Sequence, residues 1–400
     1  MQKVEIELNR KEGAVKKHYI DKWLVAAIFL LIVLGIIMVY SSSAFYARQY
    51  WGDHLFFLKR HLKFLIVGLV GMTVMYSLPY RKLKGYTWYI LMGALAILFY
   101  AAFIERGRWV NWGFINFQAV DVAKFALILF FADSLSRKER YLNSYNEGLF
   151  PHLFYIALFA ILVLMQPDFS SAFMLICICL TMLFVAPIRI SHLFLTGLSF
   201  VPMMIIAVVI SPYKMQRMLS FLAPGDDIKG SGYQVYQSLV SLGTGGINGV
   251  GFAHSTQKMF FLPEAHTDFI FAIIGEELGL LGTVGVISLF LVIMARGIKA
   301  ATRTQNRFDF YLIVGLTAHF VLYAVVNMMV TMQLLPATGL PLPFISYGGT
   351  ALLFSCIYAG LLMRITNDTL GKKKSNPYNL RKNRPKKAGP KRVAKAGTRK

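Results

Sequence analysis

Acids and bases that could carry chemistry fall at a few points of this chain of 400 residues. Asp268 ends the stretch Leu262-Pro-Glu-Ala-His-Thr-Asp-Phe269, with Glu264, His266 and Thr267 just before it, and a strongly apolar run begins at Phe269. An acid there can cap the first turn of a helix, which stabilises it by roughly 1 kcal/mol. The same carboxylate, held at a membrane surface, can also take a proton from a hydroxyl group. Asp121 and Lys124 stand at i and i+3 near the start of another apolar block, a spacing that places both on one helix face as an ion pair. Arg108 and Gln118 precede them, and Asp168 follows Pro167, where it can cap the next block. Arg217 and Lys258 are further cations that an anionic group could meet, and Gln257 stands next to Lys258. Glu276 and Glu277 follow Asp268 by eight and nine residues, a little over two turns, and one of them is read as a second acid open to its cavity. Charges at membrane depth are costly and are read first as functional.

The elements that must position these groups are apolar blocks. The composition is 56% hydrophobic, and the apolar residues form runs near the roughly 20 residues that cross a bilayer. Ten such blocks are predicted, at 23–41, 62–78, 86–104, 119–135, 150–167, 170–186, 192–210, 268–295, 309–333 and 341–363. The expected fold is therefore an all-α integral membrane protein of about ten transmembrane helices. A long extracytoplasmic loop, 211–267, joins helices 7 and 8. It carries Tyr213-Lys-Met-Gln-Arg217, a Gly/Asp turn at 224–232, and Gly243, Gly245, Gly246, Gly249 and Gly251. These glycines allow tight turns, but they lack P-loop spacing. Long ordered loops usually carry function.

Of the 42 Lys and Arg residues, 31 fall on the side that holds both termini. The positive-inside rule makes that side cytoplasmic. The domain reading is a basic cytoplasmic tail at 1–22, a membrane domain at 23–366 and a second basic, disordered tail at 367–400. The formal net charge of +23 thus follows topology and argues against a nucleic-acid partner; the tail is read as an anchor near anionic lipid or a docking segment. The first apolar run, Trp23 to Tyr40, is long for a signal peptide and no A-x-A site follows it. Cys177, Cys179 and Cys356 sit inside apolar blocks and read as small core residues, not metal or redox groups.

Residues Tyr233 to Gly279, with Gly275-Glu-Glu-Leu-Gly279, together with Gln166-Pro-Asp168 and Gly339-Leu-Pro-Leu-Pro-Phe-Ile-Ser-Tyr-Gly-Gly349, resemble the signature of the SEDS (shape, elongation, division, sporulation) proteins. The resemblance spans roughly residues 20 to 366. It implies ten transmembrane helices and a peptidoglycan glycosyltransferase that polymerises lipid II outside the bacterial cytoplasmic membrane beside a class B penicillin-binding protein. It also implies that the essential acid is the Asp of His-Thr-Asp-Phe, here Asp268. One departure is plain: the family's Gln-Pro-Ser-Glu-x-x-Lys reads Gln118-Ala-Val-Asp121-Val-Ala-Lys124 here.

On that resemblance, Asp268 is the expected catalytic base. Lys124, Asp121, Gln118, Arg108, Arg217, Gln257, Lys258, Glu264, His266, Thr267 and Glu277 are the expected substrate-binding residues. A divalent cation such as Mg or Mn is a possible helper for the leaving pyrophosphate. Basic tails and Gly251-Phe-Ala-His-Ser-Thr-Gln-Lys-Met259 point to a division-type member at the septum, with other division membrane proteins as partners. The rival readings are an elongation-type polymerase, a lipid II flippase and a non-catalytic activator of a penicillin-binding protein.

Overall fold

A computed structural model describes residues 19–113, 115–222 and 231–371. Most of both expected tails, and most of the Gly/Asp turn at 224–232, lie outside the described residues. The chain forms α1 (Lys22–Trp51), α2 (Phe56–Ser77), α3 (Thr87–Tyr100, continued by a wide turn to Glu105), β1 (Trp109–Trp112), β2 (Ile115–Gln118) and α4 (Ala119–Lys138). It continues with α5 (Phe150–Met165), α6 (Phe169–Phe184), α7 (Ile190–Val209), α8 (Pro212–Leu222), α9 (Ser231–Gly245), α10 (Ile270–Arg303), α11 (Arg307–Thr331) and α12 (Gly349–Leu370).

Seven of these elements are long and apolar enough to cross a membrane: α1, α3 and α5 with their flanking wide turns, α7, α10, α11 and α12. Helix α6 is apolar but has 16 residues. Helices α2 and α4 cover the remaining two apolar blocks and carry charged residues. Every apolar block thus falls on a helix, because a buried backbone in lipid must satisfy its own hydrogen bonds.

The expected all-α membrane fold holds, and three features refine it. β1 and β2 add a short antiparallel hairpin that pairs Trp109 with Gln118 and delivers the chain into α4. The last block does not begin as a helix at 341. Pro341 and Pro343 cannot continue a backbone ladder, and the chain stays irregular until α12 starts at Gly349. Finally, the 211–267 segment is not an open loop, since it contains α8 and α9.

Helix α10 is broken at Gly279, whose φ of 65° and ψ of −160° are not helical. The break frees backbone groups, and the glycine-rich turn after α9 takes them up. Val250 and Gly251 donate to the carbonyls of Glu276 and Glu277 at 2.9 and 3.1 Å, and Leu280 donates to the Gly246 carbonyl at 2.9 Å. A Cβ at Gly249 or Gly279 would strike the facing backbone. The glycine cluster therefore serves this backbone-to-backbone seam.

Candidate active site

The short segment before α10 holds Asp268, and three contacts place it. Asn327 on α11 donates through its Nδ2 to the carbonyls of both Asp268 and Leu340, each at 2.8 Å. The Ser346 hydroxyl donates to the Thr267 carbonyl at 2.6 Å. The Tyr347 N–H donates to the His266 carbonyl at 2.9 Å. The irregular 339–348 segment is thus stitched to the acid's own backbone. The expected cap is not formed: α10 starts at Ile270 behind Phe269, and no side chain caps it. The intervening residue moves Asp268 out of capping reach, and its carboxylate turns toward Gly339, where an added Cβ would lie 3.3 Å from Oδ2.

Two cavities meet at Asp268 and share Arg108, Asp168 and Gly339 in their walls. The first, of about 240 Å³, is lined by Gln118, Asp121, Lys124, Glu264, Thr267, His319, Tyr323 and the 339–350 segment, among others. The second, of about 170 Å³, has Lys214 and Arg217 of α8 in its walls, with Thr338 and Ala337.

The first cavity has a neutral polar floor. Lys124 Nζ lies 2.7 Å from Asp121 Oδ1, donates to the Tyr323 hydroxyl at 2.5 Å and sits 4.7 Å from that ring's centroid. Both charged residues are buried. Among the described residues, Asp121 Oδ2, His319 Nδ1 and Thr350 Oγ1 are buried without a hydrogen-bond partner, and all three residues line this cavity. Such orphaned groups cost about 1–3 kcal/mol each, which favours a ligand that bonds to them. With Ala119-Val120 before it the ion pair is kept at 2.7 Å, and the hairpin leads straight into the start of α4.

The second cavity is cationic. Arg108 donates to the Pro167 carbonyl at 2.9 Å, and Arg217 donates to the Ala337 carbonyl at 3.1 Å. Among the described residues, neither Arg108 nor Lys214 has a carboxylate within ion-pair distance. Burial and the neighbouring Arg108 charge hold the Lys214 pKa below its ordinary value, opposed by Asp168. Asp268 feels the opposite balance. Burial and then Glu264 push its pKa up to about 6, while Arg217 and Arg108 pull it back. A carboxylate so raised is a better proton acceptor than a free Asp of pKa about 3.9.

The structure brings Arg108, Gln118, Asp121, Lys124, Arg217, Glu264 and Thr267 to the cavities around Asp268. His266 stands behind the wall, with its ring 5.6 Å from that of Tyr347. Glu277, Lys258 and Gln257 are placed elsewhere. Glu277 accepts from the Ser41 hydroxyl and from Lys258 Nζ at 2.6 Å, and Glu276 accepts from Ser255, Thr256 and the Gln257 N–H. At 100° per residue Glu276 and Glu277 lie about 80° and 180° round a helix from Asp268, so the expected shared cavity does not follow from their spacing. Their partners on α1 and the glycine-rich turn draw them to the other side of α10. Lys214, Tyr323 and His319 were not singled out in the sequence. Lys214 stands three residues before Arg217, within one helical turn, and that spacing was the available signal. Asp168 caps α6 by accepting from the Ser171 N–H at 3.2 Å while lining both cavities.

A bundle of apolar helices with a paired acid and lysine at membrane depth, and Asp268 and Asp168 in the walls of two polar cavities, defines a membrane-embedded enzyme-like site. The chain belongs to the FtsW/RodA/SpoVE family of cell cycle proteins, whose sequence model matches residues 22–370. Among its relatives, the "Probable peptidoglycan glycosyltransferase FtsW" of Coxiella burnetii is 36% identical over 370 residues, covering 90% of this chain and 99% of that protein. The "Stage V sporulation protein E" of Bacillus subtilis is 34% identical over 360 residues, covering 88% of this chain and 98% of that one. A chain from a structure of a peptidoglycan synthase complex that coordinates polymerization and crosslinking superposes with a TM-score of 0.71 at 26% identity, over 88% of this chain and 98% of that chain. The rod shape determining protein RodA of Thermus thermophilus shares the fold, with a TM-score of 0.65 at 22% identity, over 88% of this chain and 97% of that one.

Proposed function

We propose that this protein is a peptidoglycan glycosyltransferase that polymerises lipid II at the outer face of the bacterial cytoplasmic membrane, with both termini on the inner side. The observation that carries this reading is the position of Asp268 between a neutral polar cavity and a cationic one. The names of the relatives and the charge bias of the terminal side support it.

The chemistry follows from the two cavities. The acceptor's sugar hydroxyl is held beside Asp268 by the hydrogen-bonding floor. Its oxygen attacks the anomeric carbon of the donor, the new C–O bond forms and the bond to pyrophosphate breaks. Asp268 takes the hydroxyl proton as bond formation makes it acidic. The polyprenyl pyrophosphate leaves carrying the negative charge, which Arg108, Lys214 and Arg217 neutralise in a water-poor site. Lys124 is committed to Asp121 and Tyr323, so its part is to order the floor for the sugar. A divalent cation bound with the pyrophosphate would meet Asp268 and Glu264. Among the described residues no group of three or more His, Cys, Asp or Glu side chains is placed to hold one.

The test is purified Asp268→Asn assayed for lipid II polymerisation. A loss of about 10²–10⁴-fold is expected for removal of a general base; full activity in the folded variant removes Asp268 from that role. Lipid II supplied already on the outer face is polymerised under this reading and left intact by a flippase. Polymerisation that persists beside a transpeptidase-dead penicillin-binding partner separates the enzyme from a mere activator.

We further place the protein at the septum, beside a class B penicillin-binding protein and other division proteins. The naming of several relatives as FtsW supports this placement. A fluorescent fusion that marks lateral patches instead of septal bands would overturn it.

A further inference from the structure

One side of the first cavity continues into a connected set of aromatic rings. Tyr347 lines the cavity, and its ring lies 5.1 Å from Phe57 and 5.6 Å from His266. Tyr46 lies 5.9 Å from His266 and 4.6 Å from Tyr50. Phe260 lies 5.8 Å from both Tyr46 and Tyr50. A second arm ends at Trp51, stacked on Phe56 at 4.3 Å with an interplanar angle of 7°. The rings near the cavity are covered, with Phe57 9% exposed, whereas Tyr50 and Trp51 at the far end are 62% and 57% exposed.

Two observations say what this ridge faces. The first is its height. Helix α1 has 30 residues, about 45 Å at 1.5 Å per residue, against a hydrocarbon core of about 30 Å. Its start is held among charges, with Asp21 paired to Arg296 at 2.7 Å. Tyr50 and Trp51 therefore stand about 12 Å beyond the far edge of the core, past a headgroup layer of roughly 5–7 Å. That is too high for an interfacial aromatic belt. The second is composition. Exposed Arg48, Gln49 and His54 lie between and beside the exposed rings. Flat π faces flanked by hydrogen-bonding groups match a pyranose, which offers an apolar C–H face rimmed by hydroxyl and amide groups.

We propose that this ridge binds the growing glycan strand, a polymer of N-acetylated amino sugars, as it leaves the cavity past Tyr347. The proposal rests on the polymerase reading of Asp268. Stacking on the exposed rings of Tyr50 and Trp51 at the far end retains the strand between additions, so the ridge sets how long strands grow before release.

The experiment uses the full chain in detergent or liposomes with lipid II, and measures strand length at matched substrate consumption. Tyr50→Ala with Trp51→Ala is expected to shorten the mean strand about 2–10-fold, the range that loss of one aromatic contact produces. Tyr50→Phe with Trp51→Phe keeps the rings and is expected to keep the length. Trp23→Ala, 69% exposed at the opposite end of α1, serves as the control. An unchanged length distribution in the double alanine variant overturns the proposal. Chitotetraose is the direct probe, read by saturation-transfer NMR. Binding to the wild type that is lost in the alanine pair supports the ridge, and no binding to the wild type overturns it. If the alanine pair alters only the response to an added penicillin-binding protein, the ridge is a protein interface and the proposal is again overturned. A wild type that binds chitotetraose but polymerises nothing sinks the polymerase reading instead.

Discussion

Among the described residues two acid–lysine pairs are buried, and they differ in what their spare atoms do. Asp121 and Lys124 sit on one helix at 2.7 Å and line the first cavity, with Asp121 Oδ2 unpartnered. Glu277 and Lys258 pair at 2.6 Å between α10 and the turn after α9, and Ser41 of α1 bonds the remaining carboxylate oxygen at 2.7 Å. The first pair presents leftover hydrogen-bonding capacity to an open space. The second uses its capacity to join three parts of the chain. A charge at membrane depth thus becomes a candidate for function through the cavity and the orphaned atom beside it, while burial alone marks only cost.

The largest test of this contrast removes one partner from each pair. Lys124→Ala and Lys258→Ala each strand a buried carboxylate and should destabilise by about 3–5 kcal/mol, read by thermal melting in detergent. The neutral pairs then separate them. Glu277→Gln with Lys258→Met should recover much of the melting temperature and polymerise lipid II normally. Asp121→Asn with Lys124→Met should recover stability and stay impaired in polymerisation. Equal recovery of activity in both would erase the distinction.

A smaller effect is expected at Lys214, which has no carboxylate partner among the described residues. Lys214→Ala should raise KM for lipid II about tenfold, the scale of one charge-assisted contact, without lowering the melting temperature. A fall in stability with unchanged KM would place this lysine with the structural charges.

The smallest effect concerns Asp268 itself. Its folded-state pKa, about 6, lies above the unfolded value of about 3.9. Its contribution to stability is therefore full below pH 4 and is lost as pH rises through 6. Asp268→Asn should melt a few degrees above the wild type at pH 8 and level with it near pH 4. Over the same range, polymerisation by the wild type should rise through pH 6 as the base form appears.

How far the sequence could lead is visible in these same residues. The helices were legible because lipid forces apolar runs into helical form, and Asp268 was legible because a single acid stood where such a run begins. The cap was misjudged because Phe269 intervenes, a shift of one residue that periodicity does not resolve. The cavity expected for Glu276 and Glu277 was the wrong one because separations of eight and nine residues turn them about 80° and 180° round a helix, out of phase with Asp268; Ser41 and Ser255 on other elements take them up. The hairpin Trp109–Gln118 escaped notice because strands of four residues leave too little alternation to read. Lys214 was not legible because nothing in the sequence places Arg108 and Asp168 beside it.

The seam at Gly279 also bears on how this protein comes to exist. The carbonyls of Glu276 and Glu277 accept from N–H groups of a turn made more than twenty residues earlier in the chain. Lipid offers no substitute donor. The stretch from α9 to the middle of α10 must therefore be inserted as one unit, with its turn already folded against the nascent helix. A substitution at Gly249 or Gly279 should be recognised first during biogenesis, as protein retained and degraded at the insertion machinery, before any catalytic step is reached.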